Sequence, residues 1–370
     1  MKIAHIYKDF YPITGGIENY IHILSNELNN RVQVEVIISS RSMHKESLTL
    51  DNVNIKRIPE IIRLNSMPIL PTLILELKNI RVDLLHFHMP FPMGDVSYLL
   101  SGSKIPAIAS YHSDVIRQKI SNIFYKPVLN KFLKKTKKII VSSKNYADSS
   151  PVLLKFIDKI VSIPYGIDIG FFNPSSHPDD IEGKIREKYG DKIILYVGVL
   201  RYYKGLNVLV EAMKYVDGKL IIIGRGPEYK TLSRLIYKNN LEGKILMAGS
   251  VTNFNLLPYY RSCDVFVLPS VYRSEAFGIV LLEAMACGRP VISTELGTGT
   301  SWVNQHGVTG LVVPPGDPKA LADAINKMLD DRELADRFGA NARKRVEENF
   351  TKELMADKIY RVYEDVLSEG

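Results

Sequence analysis

The sequence contains very little cysteine, with only Cys263 and Cys287 among 370 residues. Two cysteines cannot form the disulfide framework of a small secreted domain, so the chain fits a reducing compartment. Long apolar runs are also missing, since none approaches the roughly 18 residues that a membrane-spanning helix needs. The first residues read as a strand, and no signal-peptide pattern follows them. Together these absences predict a soluble, cytoplasmic protein.

Several ligand-binding motifs are absent as well. Neither Gly15-Gly16 nor the run Gly224-Arg225-Gly226-Pro227 completes the pattern Gly-x-Gly-x-x-Gly, so the sequence has no dinucleotide fingerprint. His86 and His88 share one strand face, but no third ligand follows at a suitable spacing, so we predict no metal site. Aromatic and basic residues are not interleaved in the manner of nucleic-acid-binding proteins, which makes nucleic acid the least favoured partner.

The residues that are present describe a globular chain, with 46% hydrophobic and 24% charged side chains. A length of 370 residues favours two domains. The net charge of +8 is concentrated in residues 1–163, which carry 22 Lys and Arg against 13 Asp and Glu, whereas residues 164–370 carry 26 against 27. A basic first half predicts an anionic partner, such as a membrane surface or a phosphorylated acceptor. The alternative is that the lysine cluster at 131–138 is a solvated helix end.

Apolar strand-like runs alternate with helical patterns along the chain, which predicts an α/β protein with parallel sheets. The expected strands of the first half are Lys2–Lys8, Gln33–Ser39, Asn54–Ile58, Asp83–Phe87, Pro106–Tyr111, Lys138–Ser142 and Lys159–Ile163. Those of the second half are Lys192–Val199, Lys219–Ile223, Lys244–Met247, Val265–Leu268, Pro290–Ser293 and Gly310–Val313. A hinge at 164–168 separates two Rossmann-like, doubly wound halves, which we expect to face each other across a ligand cleft.

The stretch at residues 274–290 carries two carboxylates, Glu275 and Glu283, around the start of a predicted helix. The helix is expected to begin near Phe277 and to end at Gly288. Its first amide groups and its positive dipole end predict an anion site. One carboxylate beside that site and a second on the helix can hold two hydroxyl-bearing parts of one phosphorylated ligand. The alternative is a buried helix with two incidental Glu residues.

Other candidates lie at the ends of predicted strands. Arg201 and Lys204 stand beside a glycine, where two cations can neutralise a diphosphate. His112 ends a strand and is expected to point into the cleft. Gly15-Gly16 opens a helix after the first strand, where glycines let the backbone approach a phosphate closely. The alternatives are a solvated charged loop for Arg201 and Lys204, a structural role for His112, and a tight turn at Gly15-Gly16.

At these residues the chain resembles the enzymes of glycosyltransferase family 4, the group 1 glycosyltransferases with the GT-B fold. The resemblance spans the whole chain and is most specific from residue 190 to residue 317. Its motifs are Glu275 through Glu283 (Glu-x7-Glu), Gly198 with Arg201 and Lys204-Gly205, Gly15-Gly16, the hinge at 164–168 and the tail at 307–317. The hinge departs from the family pattern at Tyr165, where Asn is usual.

The resemblance implies a GT-B fold of two Rossmann-like domains. Residues 1–163 would bind the acceptor, together with a C-terminal helix in 352–370 that crosses back, and residues 164–351 would bind a nucleotide-sugar donor. In this family, Glu283 would bind the ribose, and Arg201 and Lys204, after Gly198, would bind the diphosphate. Glu275 would bind sugar hydroxyls and phosphate together with the backbone amides of Phe277, Gly278 and Ile279. Arg225 would lie near the base, Gly15-Gly16 would contact the diphosphate, and His112 would contact the sugar. Among these, His112, Arg201, Lys204 and Glu275 are the catalytic candidates.

The resemblance also implies a retaining hexosyl transfer by front-face substitution, with no cofactor and no metal, because protein cations stabilise the leaving diphosphate. The absence of an Asp-x-Asp motif agrees with this. The segment at 294–304 looks like that of enzymes of O-antigen or exopolysaccharide assembly, which favours GDP-mannose over a UDP-hexose as donor. The expected acceptor is a saccharide or a lipid-linked saccharide, with peripheral contact at the inner face of an anionic membrane. A GT-B-fold epimerase and a non-catalytic nucleotide-sugar-binding protein are the alternatives.

Overall fold

The computed structural model describes residues 1–13, 15–42, 44–64, 67–114, 119–172 and 181–369. Gly370, the last residue of the predicted segment 352–370, lies outside them. The chain divides into two compact units, Met1–Gly166 with Lys352–Gly370, and Ile167–Thr351. The boundary between them follows residue 166, whereas the sequence analysis places it after residue 163.

The first unit is built on an eight-stranded sheet with a separate two-stranded hairpin. The strands in its described part are β1 (Lys2–Ile6), β2 (Gln33–Ser40), β3 (Glu46–Leu50), β4 (Val53–Pro59), β5 (Ile62–Leu64), β6 (Met67–Ile69), β7 (Leu84–Met89), β8 (Ala107–Tyr111), β9 (Ile139–Val141) and β10 (Ile160–Ser162). The sheet order is β10-β9-β8-β7-β1-β2-β4-β3, and only β3 runs antiparallel to its neighbour. Helices α1 (Gly16–Leu28), α2 (Thr72–Asn79), α3 (Pro92–Ser101), α4 (Lys119–Lys135) and α5 (Lys144–Asp148) connect the strands.

The second unit contains a six-stranded, fully parallel sheet in the order β13-β12-β11-β14-β15-β16. Its strands are β11 (Ile193–Val197), β12 (Lys219–Ile223), β13 (Ile245–Gly249), β14 (Val265–Leu268), β15 (Val291–Thr294) and β16 (Gly310–Val313). Its helices are α6 (Ile181–Tyr189), α7 (Leu206–Ala212), α8 (Tyr229–Lys238), α9 (Asn253–Ser262), α10 (Ile279–Ala286), α11 (Gly299–Val303), α12 (Pro318–Asp330) and α13 (Arg332–Asn349). The strand order reverses between β11 and β14, and ligands of such sheets bind at that point, beyond the carboxyl ends of the strands.

The last helix, α14 (Lys352–Ser368), belongs to the first unit. Its buried face consists of Met355, Ala356, Ile359, Val362, Tyr363 and Val366. Lys352 pairs with Glu27 of α1 at 3.1 Å, and Arg31 pairs with Asp357. The predicted return of the chain to its first half is therefore confirmed, as are the two Rossmann-like halves.

One local expectation differs from the structure. The sequence pattern predicts a helix over Lys144–Lys155, but α5 ends at Asp148 and is followed by a 3-10 turn at Leu153–Lys159. Pro151 explains the break, because it lacks an amide donor and restricts the residue before it.

None of the described helices is long and apolar enough to cross a membrane.

Candidate functional site

The loops that follow β11 and β12 run side by side at the carboxyl edge of the second sheet. The amide of Gly198 donates to Ile223 O at 2.9 Å, and the amide of Leu200 donates to Arg225 O at 3.0 Å. Gly224 has a φ of +142°, and a Cβ at this position would collide with the Gly198 carbonyl, so only glycine fits. This packing brings the predicted residues Gly198 and Arg225 to one edge.

Two predicted cations lie on the loop after β11. Arg201 is exposed and forms no ion pair within the part of the chain that the structure describes. It precedes a short 3-10 turn, Tyr202–Lys204, and the amide of Val271, after β14, donates to Tyr203 O at 2.8 Å. This bond ties the β11 loop to the β14 loop at the point where the strand order reverses.

Lys204 and Glu275, which were predicted to hold different parts of a donor, bind each other. Lys204 Nζ pairs with Glu275 Oε2, and the two side chains are only 11% and 9% exposed. The Ser270 hydroxyl donates to the same carboxylate oxygen at 3.0 Å. Burial lowers the pKa of Lys204, but the charge of Glu275 raises it, and the net result is a pKa above the ordinary value. Lys204 is therefore a fixed positive charge at this edge.

The hydroxyl of Tyr196 is a further polar group within electrostatic range of this pair. Its hydroxyl is buried and has no hydrogen-bond partner among the described residues. A Cβ at Gly198 would lie 3.0 Å from that hydroxyl. Burial, the largest effect, raises the pKa of Tyr196, which also lies within electrostatic range of Lys204 and Glu275. The phenol is therefore neutral and available as a donor beneath the loop.

The segment that links Glu275 to α10 is held by α11 and the loop before it. Thr298 Oγ1 donates to Glu275 O at 2.8 Å, and the amide of Gly299 donates to Ala276 O at 2.8 Å. The helix begins at Ile279 instead of near Phe277, because Gly278 takes a left-handed conformation with a φ of +82°. The amide of Leu281 donates to Gly278 O at 2.8 Å, and those of Ile279 and Val280 lack acceptors within the helix, so the predicted anion-binding start moves two residues along the chain.

Glu283 lies in the second turn of α10 and is half-buried. The hydroxyl of Tyr260 donates to its Oε2 at 2.5 Å. Burial raises the pKa of Glu283 to about 7, although the hydrogen bond from Tyr260 opposes that rise. This carboxylate therefore changes its charge near neutral pH.

In the first unit, the predicted glycines stand at the start of α1. Gly15 precedes the helix without a side-chain cap, and Gly16 is its first residue. A Cβ at Gly15 would collide with the carboxylate of Glu18. The carboxylate of Glu18 therefore lies against Gly15 at this helix start, a contact that the glycine motif does not predict.

His112 follows β8 and is buried. Its Nε2 lies 3.1 Å from Nδ1 of His88, and its Nδ1 lies 2.6 Å from the hydroxyl of Tyr165. Burial lowers the pKa of His112 to about 3, so the ring is neutral. Tyr165 stands where the family pattern has Asn, and this departure has a chemical consequence, since its hydroxyl occupies one nitrogen of His112.

No third ligand follows His86 and His88 at a suitable spacing in the sequence, but the structure brings a third histidine from an earlier strand. His5, on the neighbouring strand, lies in register with His86, and one ring nitrogen of each of the three residues lies within 4.8 Å of the others. Five of the six ring nitrogens are already engaged, with His5 Nδ1 at 2.8 Å from His88 Nε2, His88 Nδ1 at 3.1 Å from His112 Nε2, and the nitrogens of His86 at 2.7 Å from Tyr363 and Ser110. The sixth, His5 Nε2, has no hydrogen-bond partner among the described residues. No carboxylate is among their partners in the described residues. The cluster therefore fits neutral, hydrogen-bonded histidines better than a cation.

Comparison with known proteins assigns the chain to a family. A model described as Glycosyltransferase Family 4 matches residues 14–171, and one described as Glycosyl transferases group 1 matches residues 179–345. O-antigen chain mannosyltransferase C of Escherichia coli is 34% identical over 371 residues, which are 99% of each chain. D-rhamnosyltransferase WbpZ of Pseudomonas aeruginosa is 33% identical over 356 residues, 95% of this chain and 92% of that protein. The chain belongs to glycosyltransferase family 4.

The fold of this glycosyltransferase is GT-B. HepE of Anabaena, solved in complex with UDP-glucose, matches it with a TM-score of 0.81 over 99% of this chain and 100% of that chain, at 18% identity. The resemblance inferred from the sequence motifs is thus confirmed for family and fold. The chain is a transferase of glycosyl groups.

The residues that hold the predicted ones in place in this glycosyltransferase carry little signal in the sequence. Ser270 contacts Glu275, Tyr260 contacts Glu283, and Tyr196 lies beneath Gly198. Tyr196 has a detectable signal, because it is the one hydroxyl-bearing residue in the aliphatic strand β11. Ser270 has a weaker one, since it follows β14 by two residues and thus lies at a strand end.

Proposed function

We propose that the protein is a retaining glycosyltransferase that moves a hexose, with mannose preferred, from a nucleotide-diphosphate sugar to a saccharide or lipid-linked acceptor in cell-surface polysaccharide or glycolipid synthesis. The observation that carries this proposal is the arrangement of Lys204, Glu275 and Ser270 at the reversal of strand order in the second unit. The names of the O-antigen mannosyltransferase and of WbpZ support the polysaccharide context. HepE, bound to UDP-glucose, supports a nucleotide-sugar donor.

In this proposal the donor diphosphate lies between Arg201, Lys204 and the start of α10. The acceptor hydroxyl attacks the anomeric carbon on the face from which the diphosphate leaves. The bond between that carbon and the phosphate oxygen breaks, the new glycosidic bond forms, and the acceptor proton passes to the leaving oxygen. Arg201, Lys204 and the first amides of α10 stabilise the charge that develops there.

The engagement of both carboxylates supports front-face substitution over a covalent intermediate. Glu275 accepts from Lys204 and Ser270, and Glu283 accepts from Tyr260. The ion pair with Lys204 lowers the nucleophilicity of Glu275, and the raised pKa of Glu283 lowers the fraction of that carboxyl that is ionised near pH 7. Glu275 and Glu283 therefore serve better as positioning groups, Glu275 for sugar hydroxyls and Glu283 for the ribose.

A donor screen tests the proposal directly. Thermal unfolding is followed with GDP- and UDP-sugars, and then transfer and donor hydrolysis are measured with the donor that stabilises most. A donor at about 100 times its Kd stabilises by about 2.7 kcal/mol, which raises Tm by several degrees. Transfer with retained anomeric configuration supports the proposal. A 2-epimer product indicates an epimerase, and stabilisation without turnover indicates a non-catalytic binding protein.

Transfer is expected to proceed without a metal, because Arg201, Lys204 and the α10 amides supply the positive charge. The measurement is initial transfer rate in excess EDTA and after addition of Mg²⁺ or Mn²⁺. We expect rates within about twofold of each other. Activity that EDTA abolishes and a divalent cation restores contradicts the metal-free mechanism.

A lipid-linked acceptor would bring the first unit to the inner face of the membrane. The hairpin β5–β6 presents Ile61, Ile62 and Leu64, which are 75%, 51% and 55% exposed. Arg63 anchors the hairpin to Asp9, beyond the carboxyl end of β1, at 3.0 Å. The lysine cluster at 131–138 instead precedes β9 and thus lies at the amino-terminal edge of the same sheet. The hairpin is therefore the membrane-contacting element in our proposal.

Vesicle sedimentation tests this contact. Binding to anionic vesicles is expected to exceed binding to neutral ones, and Ile62→Asp is expected to reduce it at least about fivefold, since it places a charge among apolar contacts. Leu100→Asp is the matched control, because Leu100 is also exposed, at 65%, in the same unit. Equal binding to both vesicle types rejects the electrostatic contribution, and equal loss in both variants rejects the hairpin.

A further inference from the structure

Three histidines and a tyrosine of the first unit form one continuous chain of hydrogen bonds. His5 Nδ1 lies 2.8 Å from His88 Nε2, His88 Nδ1 lies 3.1 Å from His112 Nε2, and His112 Nδ1 lies 2.6 Å from the Tyr165 hydroxyl. All four side chains are buried. Both ring nitrogens of His112 take part in this series of hydrogen bonds, so each has a partner inside the protein.

The three imidazoles are neutral. Burial lowers the pKa of His5 and His112 to about 3. It lowers the pKa of His88 well below the ordinary value, and the neighbouring histidines add to that effect. No carboxylate hydrogen-bonds to these rings in the described residues, so nothing offsets the cost of a buried imidazolium.

Neutrality couples the proton positions along the chain. A neutral imidazole has one N–H donor and one acceptor nitrogen, so every bond in the chain has to point the same way. In one direction His112 donates to Tyr165 and accepts from His88, and in the other it accepts from Tyr165 and donates to His88. The tautomer of His112 therefore cannot change unless the bonds on both sides reverse with it.

We propose that Tyr165 and His88 are positioning residues, which fix the ring orientation and the tautomer of His112. This inference rests on the proposed function together with the sugar contact of His112 that the family resemblance implies. His112 then meets the sugar only in the ring orientation and the tautomer that these hydrogen bonds impose. Neither residue needs to touch the substrate itself.

A matched pair of phenylalanine variants tests the proposal. Tyr165→Phe removes the hydroxyl that holds His112. Tyr363→Phe removes the hydroxyl that lies 2.7 Å from His86, and in the described residues His86 has no hydrogen bond to His5, His88, His112 or Tyr165. We expect Tyr165→Phe to lower kcat about 10-fold, in line with losses seen when groups that orient a functional histidine are removed. Tyr363→Phe is expected to stay within about twofold of wild type. Similar kcat values for the two variants overturn the proposal.

Two further measurements separate positioning from a general loss of stability. Thermal unfolding is expected to show similar destabilisation in both variants, because each loses one buried hydrogen bond. ¹⁵N spectra of histidine-labelled protein are expected to show altered His112 ring signals in Tyr165→Phe and altered His86 signals in Tyr363→Phe. Unchanged His112 signals in Tyr165→Phe contradict the inference whatever the activity.

His88 and His112 variants complete the test. His88→Gln keeps one donor and one acceptor, so it is expected to retain at least about fivefold more activity than His88→Leu. Equal activity in these two variants counts against a positioning role of His88. His112→Ala distinguishes the sugar contact of His112 from the positioning roles of Tyr165 and His88. If His112→Ala transfers at the wild-type rate, the proposed sugar contact of His112 fails, whereas an inactive His112→Ala with a fully active Tyr165→Phe overturns only the positioning inference.

Discussion

Replacing Lys204 by alanine is expected to lower the rate of transfer by at least about 100-fold. The residue carries a fixed positive charge in a mostly buried site at the reversal of strand order, where the leaving diphosphate is proposed to lie. Removal of one preorganised group that stabilises developing negative charge costs about 10²- to 10³-fold in kcat. The measurement is kcat and KM at saturating acceptor, with the main loss expected in kcat.

The same change has a structural effect that has to be separated from catalysis. Without Lys204, the carboxylate of Glu275 stays in a mostly buried position, and among the described residues only the hydroxyl of Ser270 remains as a side-chain donor. Loss of one partner of a buried pair costs about 3–5 kcal/mol. Lys204→Met/Glu275→Gln removes both charges, so it is expected to recover most of the stability and none of the activity. A folded Lys204→Ala protein with wild-type turnover excludes Lys204 from the mechanism.

An exposed ion pair of the same unit serves as the control. Lys192 lies 3.1 Å from Asp330, and the two side chains are 40% and 67% exposed. Such surface pairs contribute about 0–1 kcal/mol. Lys192→Ala is therefore expected to leave both transfer and unfolding close to wild type. A large loss in this variant indicates that the loss in Lys204→Ala is not specific to the site.

Periodicity and capping residues predict most of the second unit. Strands β14 and β16 have the predicted bounds to the residue. The sequence pattern also predicts helices over Pro318–Asp330 and Arg332–Asn349, which are the bounds of α12 and α13. The helix bounds are sharp because Asp317 accepts from the amides of Lys319 and Ala320, and Asp331 accepts from the amide of Leu334. The sequence analysis missed β3, the hairpin β5–β6, α2 and α3. Residues 46–50 and 62–64 alternate between half-buried and exposed, so they lack the continuous apolar run that marks the other strands.

The contacts of the site are harder to predict than its residues. Glu275 and Lys204 are both visible as candidates, but they are 71 positions apart, and only the fold reveals that they bind each other. His5 and His88 are 83 positions apart and meet because β1 and β7 are neighbours in the sheet. Motif spacing reports which elements carry a residue. It contains no information on which loops of neighbouring strands meet.

Glu283 is expected to control donor affinity. Glu283→Ala should raise the donor KM about 100-fold with a smaller change in kcat, because the ribose loses a charged hydrogen-bond acceptor and such bonds contribute about 1.5–3 kcal/mol each. The expectation follows from the position of Glu283 on α10 and from its second carboxylate oxygen, which the bond from Tyr260 to Oε2 does not use. An unchanged donor KM in Glu283→Ala removes this residue from the donor site.

The same residue predicts a pH dependence with a definite sign. Burial raises the pKa of Glu283 from 4.5 to about 7, so the ionised form, which accepts more hydrogen bonds, becomes populated as the pH rises through about 7. The donor KM is expected to fall about 10-fold between pH 6 and pH 8. The free energy of unfolding also falls as the pH rises, so the fold becomes less stable while the donor binds more tightly. The raised pKa contributes stability below about pH 4.5, and that contribution is lost as the pH rises from 4.5 to about 7.

Two variants assign this titration to Glu283. Glu283→Gln cannot ionise, so its donor KM is expected to be constant between pH 6 and pH 8. Tyr260→Phe removes the hydrogen bond that stabilises the ionised form, and the bond's absence raises the pKa further, so the midpoint of the KM profile should move to higher pH. A profile in Glu283→Gln that still falls through pH 7 assigns the titration to another group. A midpoint that moves to lower pH in Tyr260→Phe contradicts the role of that hydrogen bond, because only a donor to the charged carboxylate holds its pKa down.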